Sequence, residues 1–210
     1  MHDDEIWLLT STERRRTADL LAALPEDAWE VPSLCEGWRV RDVAAHLTLS
    51  ARARPLQALL GVIRHGGNPN RWVAADAVAR SWRPPAELVG ELRAVADIRH
   101  RPPGTKTLDP LVDVIVHTQD IAVPLGIEHR VHDPAGAASA ADRVWAMGFP
   151  FFARRRLRGM SVVATDVDWE RGQGPLVEGP IAAILPMLAG RRAGVVDRLS
   201  GPGVNLLRSH

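Results

Sequence analysis

Apolar residues recur at helical spacing along most of this chain, and the pattern changes near residue 158. Apolar stripes with start and stop signals predict helices at about 3–24, 38–65, 72–82, 86–99, 109–123 and 133–153. A Val- and Thr-rich segment, 160–167, then predicts a strand, 169–175 a turn, 176–178 a return strand and 180–190 a helix. The pattern therefore predicts a mainly α protein, with a helical domain at 1–156 and a small α+β domain at 157–210.

The charges of the chain nearly cancel, at a formal +1. This balance gives no reason to expect nucleic acid or a membrane as a partner. Lys106 is the only lysine beside 25 arginines, and Ala is abundant while Tyr is absent, which is typical of a GC-rich coding bias. The short basic run from Arg14 to Arg16 is interpreted as a solvated helix face.

The single cysteine, Cys35, excludes a disulfide within the chain and favours a reducing compartment. No stretch approaches the roughly 20 apolar residues of a membrane helix. The acidic N-terminus, MHDDEIW, lacks a signal-peptide pattern. We therefore expect a cytoplasmic protein. Cys35 has no histidine near it in sequence and is interpreted as a packed thiol.

The segment 109–123 carries the most informative polar residues. Asp113 and His117 are four positions apart and Asp120 is three further on, so they share one helix face. Such a carboxylate and imidazole can bind a metal with a third ligand, although the spacing alone favours an ion pair within the helix. His46, beside an apolar stripe, is either that ligand or a hydrogen-bonded core histidine. Asp42, four residues before it, can orient His46, cap its helix or pair with an arginine.

Nucleotide-binding motifs are absent from the sequence. Gly172-Gln-Gly174 is too short for a phosphate-binding loop, and neither a Walker nor a dinucleotide fingerprint occurs.

Three segments together resemble one family. They are PSLCEGWRVRDVAAHL within residues 24–47, VDVIVHTQDIAVPLG at 112–126, and VVATDVDWERGQGPLVEGPIAAILPMLAGR at 162–191, with LSGPGVNLL after it. They resemble the mycothiol-dependent maleylpyruvate isomerase family, which is part of the broader DinB-like metal-binding bundles. The segments lie in the family's order and span nearly the whole chain.

The resemblance implies a DinB-like helical bundle that holds a divalent metal, usually zinc, through His46, Asp113 and His117. Better-characterised members carry Glu at the position of Asp113. Asp is one methylene shorter, so the helix must lie closer to the metal or bind it through water. Asp120 and Gln119 are expected in the second coordination shell, where they bind a ligand or hold a neighbouring helix, and Asp42 is placed with them. For Asp120, an exposed or Arg-paired carboxylate is an equal alternative.

The implied activity is that of a mycothiol-using isomerase or S-transferase acting on a small electrophile. The metal-bound thiolate is the nucleophile, so no side chain is assigned as catalytic. In an isomerase the thiolate adds to a cis double bond, the bond rotates and the thiolate leaves; in a transferase it stays attached. Mycothiol points to an actinobacterial host. The expected partners are a small-molecule substrate and the low-molecular-weight thiol, and the chain is expected to be a monomer or homodimer. The residues that bind substrate are not identified.

Two other interpretations stay open. The chain can be a metal- or small-ligand-binding module without turnover. It can also be a partner-binding helical protein without metal, in which His46, Asp113 and His117 form a polar core network.

Overall fold

The predominance of helices is confirmed by the computed structural model, which describes residues 1–51, 60, 61, 63, 64, 66–101 and 104–209. The helices are α1 (Asp3–Ala22), α2 (Val40–Ser50), α3 (Pro69–Ser81), α4 (Pro85–Val95), α5 (Asp109–Ala122), α6 (Pro134–Ala146), the single turn α7 (Ala153–Arg156), α8 (Ile181–Leu188) and α9 (Val204–Ser209). Short 3₁₀ segments occupy Glu26–Glu30 and Val196–Arg198. Most of the predicted continuation of the second helix beyond residue 51 lies outside the described residues.

Four helices form the bundle. Both α1 and α2 pack against α4 and α5, so the four surround one apolar core. Helix α5 also packs against α6 and α8, which form a further layer on it. All eight residues of α8 are buried, and one continuous apolar cluster reaches from the bundle into this layer. Since the core is continuous, the predicted division into two domains at residue 156 stays a prediction. No helix in the described ranges is long and apolar enough to cross a membrane.

The basic run of α1 corrects one expectation. Arg14 is buried rather than solvated. Its Nη1 donates to the carbonyl oxygens of Val95, Ala96 and Ile98, at 3.3, 3.3 and 2.9 Å. These carbonyls close the C-terminal end of α4, where unpaired acceptors and the helix dipole favour a cation. A buried arginine is stable there because the helix end supplies its acceptors.

The small sheet also differs from expectation. Strand β1 (Ser161–Ala164) pairs antiparallel with β2 (Glu170–Gly172), which lies inside the predicted turn, and parallel with β3 (Leu176–Gly179). The sheet order is β2-β1-β3. Gly172 and Gly174 have φ values of +87° and +130°, and a Cβ at either would lie 2.2 Å from a backbone carbonyl oxygen. These glycines allow the close approach that returns the chain to the other edge of β1.

Candidate metal centre

Helix α5 carries the central side chains of the candidate site. Asp109 fixes its start, since the carboxylate accepts the Lys106 N–H and pairs with Arg143 of α6. The helix ends before Gly126, whose φ is +67°. Asp113, His117 and Asp120 are spaced by four and then three positions, so they lie on one side of α5. This side faces α2 and the loop before it.

The Nε2 atom of His117 faces the two other predicted ligands. Asp113 Oδ1 lies 3.4 Å from His117 Nε2 and 3.4 Å from His46 Nε2. The three ligand atoms all lie within 4.8 Å of one another. Asp113 keeps about 29% of its side chain exposed, while the two histidines keep about 12–13%. Residues from α2 and α5 thus converge on one point that solvent reaches past Asp113.

These separations fit a metal better than they fit hydrogen bonds. A good N–H···O bond is about 2.9–3.0 Å long. Zinc bonds to imidazole nitrogen and carboxylate oxygen are about 2.0–2.2 Å, which places the corners of a tetrahedron about 3.3–3.6 Å apart. Both 3.4 Å separations therefore match the edge of a tetrahedral site. Two imidazoles and one carboxylate are also a donor set that zinc favours.

The Nδ1 atom of His117 has a different partner. It lies 2.9 Å from Asp120 Oδ2. Asp120 is fully buried, and Arg191, which follows α8, donates to it from Nε at 3.0 Å and from Nη2 at 2.9 Å. A carboxylate on the outer nitrogen of a histidine fixes the ring and its tautomer, as in many metal sites. Asp120 thus contacts both the predicted ligand His117 and an arginine, and its role toward a bound metal stays a prediction.

A second group that can hold a metal is formed by Cys35, His117 and Asp120. Cys35 Sγ lies 3.0 Å from Asp120 Oδ2 and 3.7 Å from His117 Nδ1. The Arg191 guanidinium already binds this carboxylate twice and lies 3.4 Å from the sulfur. A metal ion here would meet that positive charge at close range, so we consider the first group the better fit.

The ionisation of the site follows from its close charges. Burial alone would raise the pKa of the Asp113 carboxyl, but His46 and His117 outweigh it and hold the pKa well below the usual range. Burial alone would lower the pKa of His117, yet its hydrogen bonds with Asp113, Asp120 and Cys35 raise it well above the usual value. His117 is thus a cation between two carboxylates when metal is absent, and a metal ion must displace its proton.

The remaining predicted residues have other contacts. The placing of Asp42 beside a metal ligand is corrected. Its carboxylate accepts hydrogen bonds from Arg39 N, Nε and Nη2, whereas His46 has no hydrogen bond to it. The Arg39 backbone N–H and guanidinium are stronger partners for this carboxylate than an imidazole one turn away. Gln119 is fully buried, donates to the His129 carbonyl and accepts from Arg198. It therefore joins neighbouring segments and does not touch a predicted ligand.

Three residues at the site were missed or misjudged from sequence. Cys35 was interpreted as a packed thiol without a histidine, but the loop before α2 brings it to His117. Arg191 was not identified as part of the site, because nothing in the sequence distinguishes it from the other arginines. The ring of Trp38 lies 5.3 Å from the ring of His46 and 6.4 Å from that of His117, and so covers one side of the pair. The segments PSLCEGW and LAGR, quoted for the resemblance, contained all three.

Comparisons with known proteins bear on the family and the fold. Residues 10–109 match the sequence model of a family described as the mycothiol maleylpyruvate isomerase N-terminal domain. A crystal structure of a His-to-Ala mutant of the mycothiol-dependent maleylpyruvate isomerase superposes with a TM-score of 0.62 at 15% identity, over 96% of this chain and 93% of that one. A crystal structure of the mycothiol-dependent maleylpyruvate isomerase gives 0.59 at 16% identity with the same coverage. No curated protein sequence matches the chain.

The two kinds of likeness support different statements. The sequence match covers the part of the chain that contains His46, and the structural likeness covers nearly all of it. Identities of 15–16% carry the fold and leave the reaction open. Residues 10–109 therefore belong to the mycothiol maleylpyruvate isomerase N-terminal domain family, and the chain as a whole has the fold of the mycothiol-dependent maleylpyruvate isomerase.

Proposed function

We propose that this protein is a cytoplasmic, metal-dependent enzyme that uses mycothiol to isomerise, or to add the thiol to, a small electrophilic substrate. One observation carries the proposal: Asp113 Oδ1 lies 3.4 Å from both His46 Nε2 and His117 Nε2, separations that suit a tetrahedral zinc ion. Three protein ligands leave a position for an exogenous group, as catalytic zinc sites require. The family membership of residues 10–109 favours the thiol chemistry over other uses of such a site.

A bound divalent metal would supply Lewis-acid chemistry that lowers the pKa of a coordinated thiol. The protein's own residues prepare the place for it. Asp120 holds His117 through Nδ1, so that Nε2 carries the free electron pair when the proton leaves. Arg191 in turn holds Asp120 ionised, with burial opposing and His117 and Arg191 lowering the carboxyl pKa to about 2. Trp38 limits the water that reaches the two imidazoles.

The test begins with elemental analysis of untagged, purified protein. We expect about one metal ion per chain, since the three ligands describe one site. The same protein is then assayed with mycothiol and maleylpyruvate, following the trans product, and with mycothiol and a panel of thiol-alkylating electrophiles. Consumption of either substrate that requires both mycothiol and metal supports the proposal. A folded protein that contains no metal and takes none up would overturn it.

The second candidate is a metal- or small-ligand-binding module without turnover. Asp113 favours it, because the shorter carboxylate departs from the Glu that the resemblance implies. The assays separate the two functions. Metal bound by His46 and His117 together with no thiol-dependent consumption of any substrate would favour the binding module.

A further inference from the structure

Two phenylalanine rings stand in solvent on the loop that joins α6 to α7. Phe149 is 75% exposed, more than any other large apolar side chain that the structure describes, and Phe152 is 44% exposed. The two ring centroids are 6.4 Å apart and the rings meet edge to face. Single exposed apolar residues are common, whereas adjoining ones mark a surface that contacts a partner.

The loop holds the two rings outward through contacts of its backbone. The Phe152 N–H donates to the Gly148 carbonyl at 2.7 Å, and Arg156 donates to the carbonyls of Phe151 and Leu188. Phe152 has a φ of +48°, which is unusual for a bulky residue. Such a backbone conformation persists only where surrounding contacts impose it, and it is concentrated at functional sites.

Three exposed arginines follow the rings directly. Ala153 and Leu157 are buried against the core, while Arg154, Arg155 and Arg158 are exposed. Helical periodicity through α7 therefore places the three arginines together on the side that faces away from the core. We call Phe149, Phe152 and these three arginines the aromatic–arginine patch.

The positive charge of the patch is not neutralised locally. None of its arginines has an ion pair within the described part of the chain, and no acidic residue occurs from 143 to 165. The Arg155 N–H donates to the Phe152 carbonyl at 3.0 Å, so the charges begin within one turn of the rings. Burial and the nearby charge of Arg192 lower the pKa of Arg156, which shows that further positive charge lies behind the patch.

Protruding rings beside unpaired arginines suit the surface of a bilayer. Aromatic side chains enter the headgroup region without needing a shaped pocket, and arginines bind the lipid phosphates around them. Single-stranded nucleic acid is bound along a basic groove that follows several nucleotides. The three arginines instead lie within the five positions 154–158. A lipid surface therefore matches the patch better than a nucleic acid does.

We propose that the aromatic–arginine patch binds the protein reversibly to an anionic phospholipid bilayer. Phe149 and Phe152 enter the headgroup region, and Arg154, Arg155 and Arg158 pair with phosphate groups. The net charge of +1 gives the chain as a whole no attraction to a membrane, so binding depends on this local concentration of charge. The proposal does not depend on the proposed activity or on a bound metal.

The test is cosedimentation of the full-length protein with large vesicles. Vesicles of equimolar phosphatidylglycerol and phosphatidylcholine are compared with vesicles of phosphatidylcholine alone. We expect at least about tenfold stronger binding to the anionic vesicles, since each arginine near an anionic surface contributes roughly a factor of five. Raising the salt from about 50 mM to about 500 mM should weaken this binding at least about tenfold, because the charges are screened.

Variants separate the two halves of the patch. Phe149→Ala should weaken binding about fivefold or more, because it removes a ring from the headgroup region. The double change Arg154→Gln and Arg155→Gln should weaken it about tenfold or more. The matched controls are Leu8→Ala, at another exposed apolar residue, and Arg130→Gln, at an exposed arginine paired with Glu128. Each control should alter binding by less than about twofold.

Amide hydrogen exchange of the wild-type protein locates the bound surface without relying on variants. Anionic vesicles should slow exchange in residues 147–158 and leave the rest of the bundle unchanged. Equal binding to both kinds of vesicle, no binding to either, or protection confined to other segments would overturn the proposal. Binding that Phe149→Ala leaves unchanged would also overturn it. So would tighter binding of an oligouridylate than of the anionic vesicles at the same salt, which would make the patch a nucleic-acid surface.

Discussion

The two ring nitrogens of His117 face surroundings that differ in one respect. On the Nδ1 side, Asp120 is 2.9 Å away and Arg191 binds that carboxylate through two donors. On the Nε2 side, Asp113 lies 3.4 Å away and is shared with His46 at the same distance. The first side is a completed hydrogen-bond network, while the second has separations that suit ligands around an ion. The protein therefore braces His117 from one side and presents it on the other.

The two histidines differ in the same sense. His117 is braced by Asp120, whereas His46 Nδ1 is buried without a hydrogen-bond partner in the part of the chain that the structure describes. A histidine with a carboxylate behind it is a more basic and better oriented ligand. We therefore expect His117 to contribute more to metal affinity than His46.

Replacing His117 should have the largest effect. His117→Ala removes a ligand and leaves Asp120 without the imidazole, so we expect metal affinity to fall by more than about 100-fold. Competition with a chromogenic chelator measures this change. His132→Ala, at a histidine remote from the metal centre, is the control and should bind metal like the wild type. Equal affinities in the His117 variant and the wild type would rule out the Nε2 side as the metal site.

Variants of Asp113 test whether metal binding on the Nε2 side of His117 needs a negative charge or only an oxygen atom. Asp113→Asn should weaken metal binding by about 100-fold or more, since it removes the charge that balances the ion. Asp113→Glu, which introduces the residue that the resemblance implies, should stay within about tenfold of the wild type. Chelator competition on both variants in parallel gives the answer, and an Asn variant that binds as well as the Glu variant would contradict the assignment.

On the Nδ1 side, Asp120→Asn should lower metal affinity by about 10–100-fold, the usual cost of losing a carboxylate that is hydrogen-bonded to a histidine ligand. The matched control is Asp42→Asn, which weakens a similarly buried Asp–Arg pair that does not touch His46. The control should lose stability but keep its metal affinity within about twofold. A larger loss of affinity in Asp42→Asn than in Asp120→Asn would reverse the roles given to the two carboxylates.

Acid should weaken the Nδ1 network in metal-free protein. The pKa of Asp120 is lowered from 3.8 to about 2, so its carboxylate stabilises the fold above pH 3.8, and this contribution is lost as the pH falls toward 2. The shift corresponds to about 2 kcal/mol in the free energy of unfolding. Measured by urea unfolding, the wild type should lose this much more free energy of unfolding than Asp120→Asn as the pH is lowered. Parallel stability curves for the two proteins between pH 6 and 2 would count against it.

The sequence predicts the parts of the site that depend on local spacing. Asp113, His117 and Asp120 share one helix face because helical periodicity acts over a few residues, and the segment 109–123 matches α5 (Asp109–Ala122) closely. His46 as the third ligand came from the family resemblance, since no local pattern joins α2 to α5. Whether the three bind metal stays a prediction.

Contacts between segments that are distant in sequence could not be predicted in this way. Cys35 and Asp120 are 85 positions apart, and Asp120 and Arg191 are 71 apart, so no periodic pattern relates them. The pairing of the sheet is missed for a related reason. Strand propensity predicts strands at 160–167 and 176–178, but two glycines with positive φ decide which edge of the sheet each strand joins. For Asp42, the sequence allowed three roles, of which capping or pairing with an arginine is the commoner, and the donors of Arg39 decide among them.

The most direct test of the contrast between the two sides of His117 is the metal content of two variants purified in parallel, His46→Ala and Cys35→Ser. The first removes a group from the Nε2 side and the second removes one from the Nδ1 side, while both leave His117 in place. We expect Cys35→Ser to retain about one metal ion per chain and His46→Ala to lose most of it. Retention of the metal in His46→Ala together with its loss in Cys35→Ser would place the ion among Cys35, His117 and Asp120 and contradict the assignment.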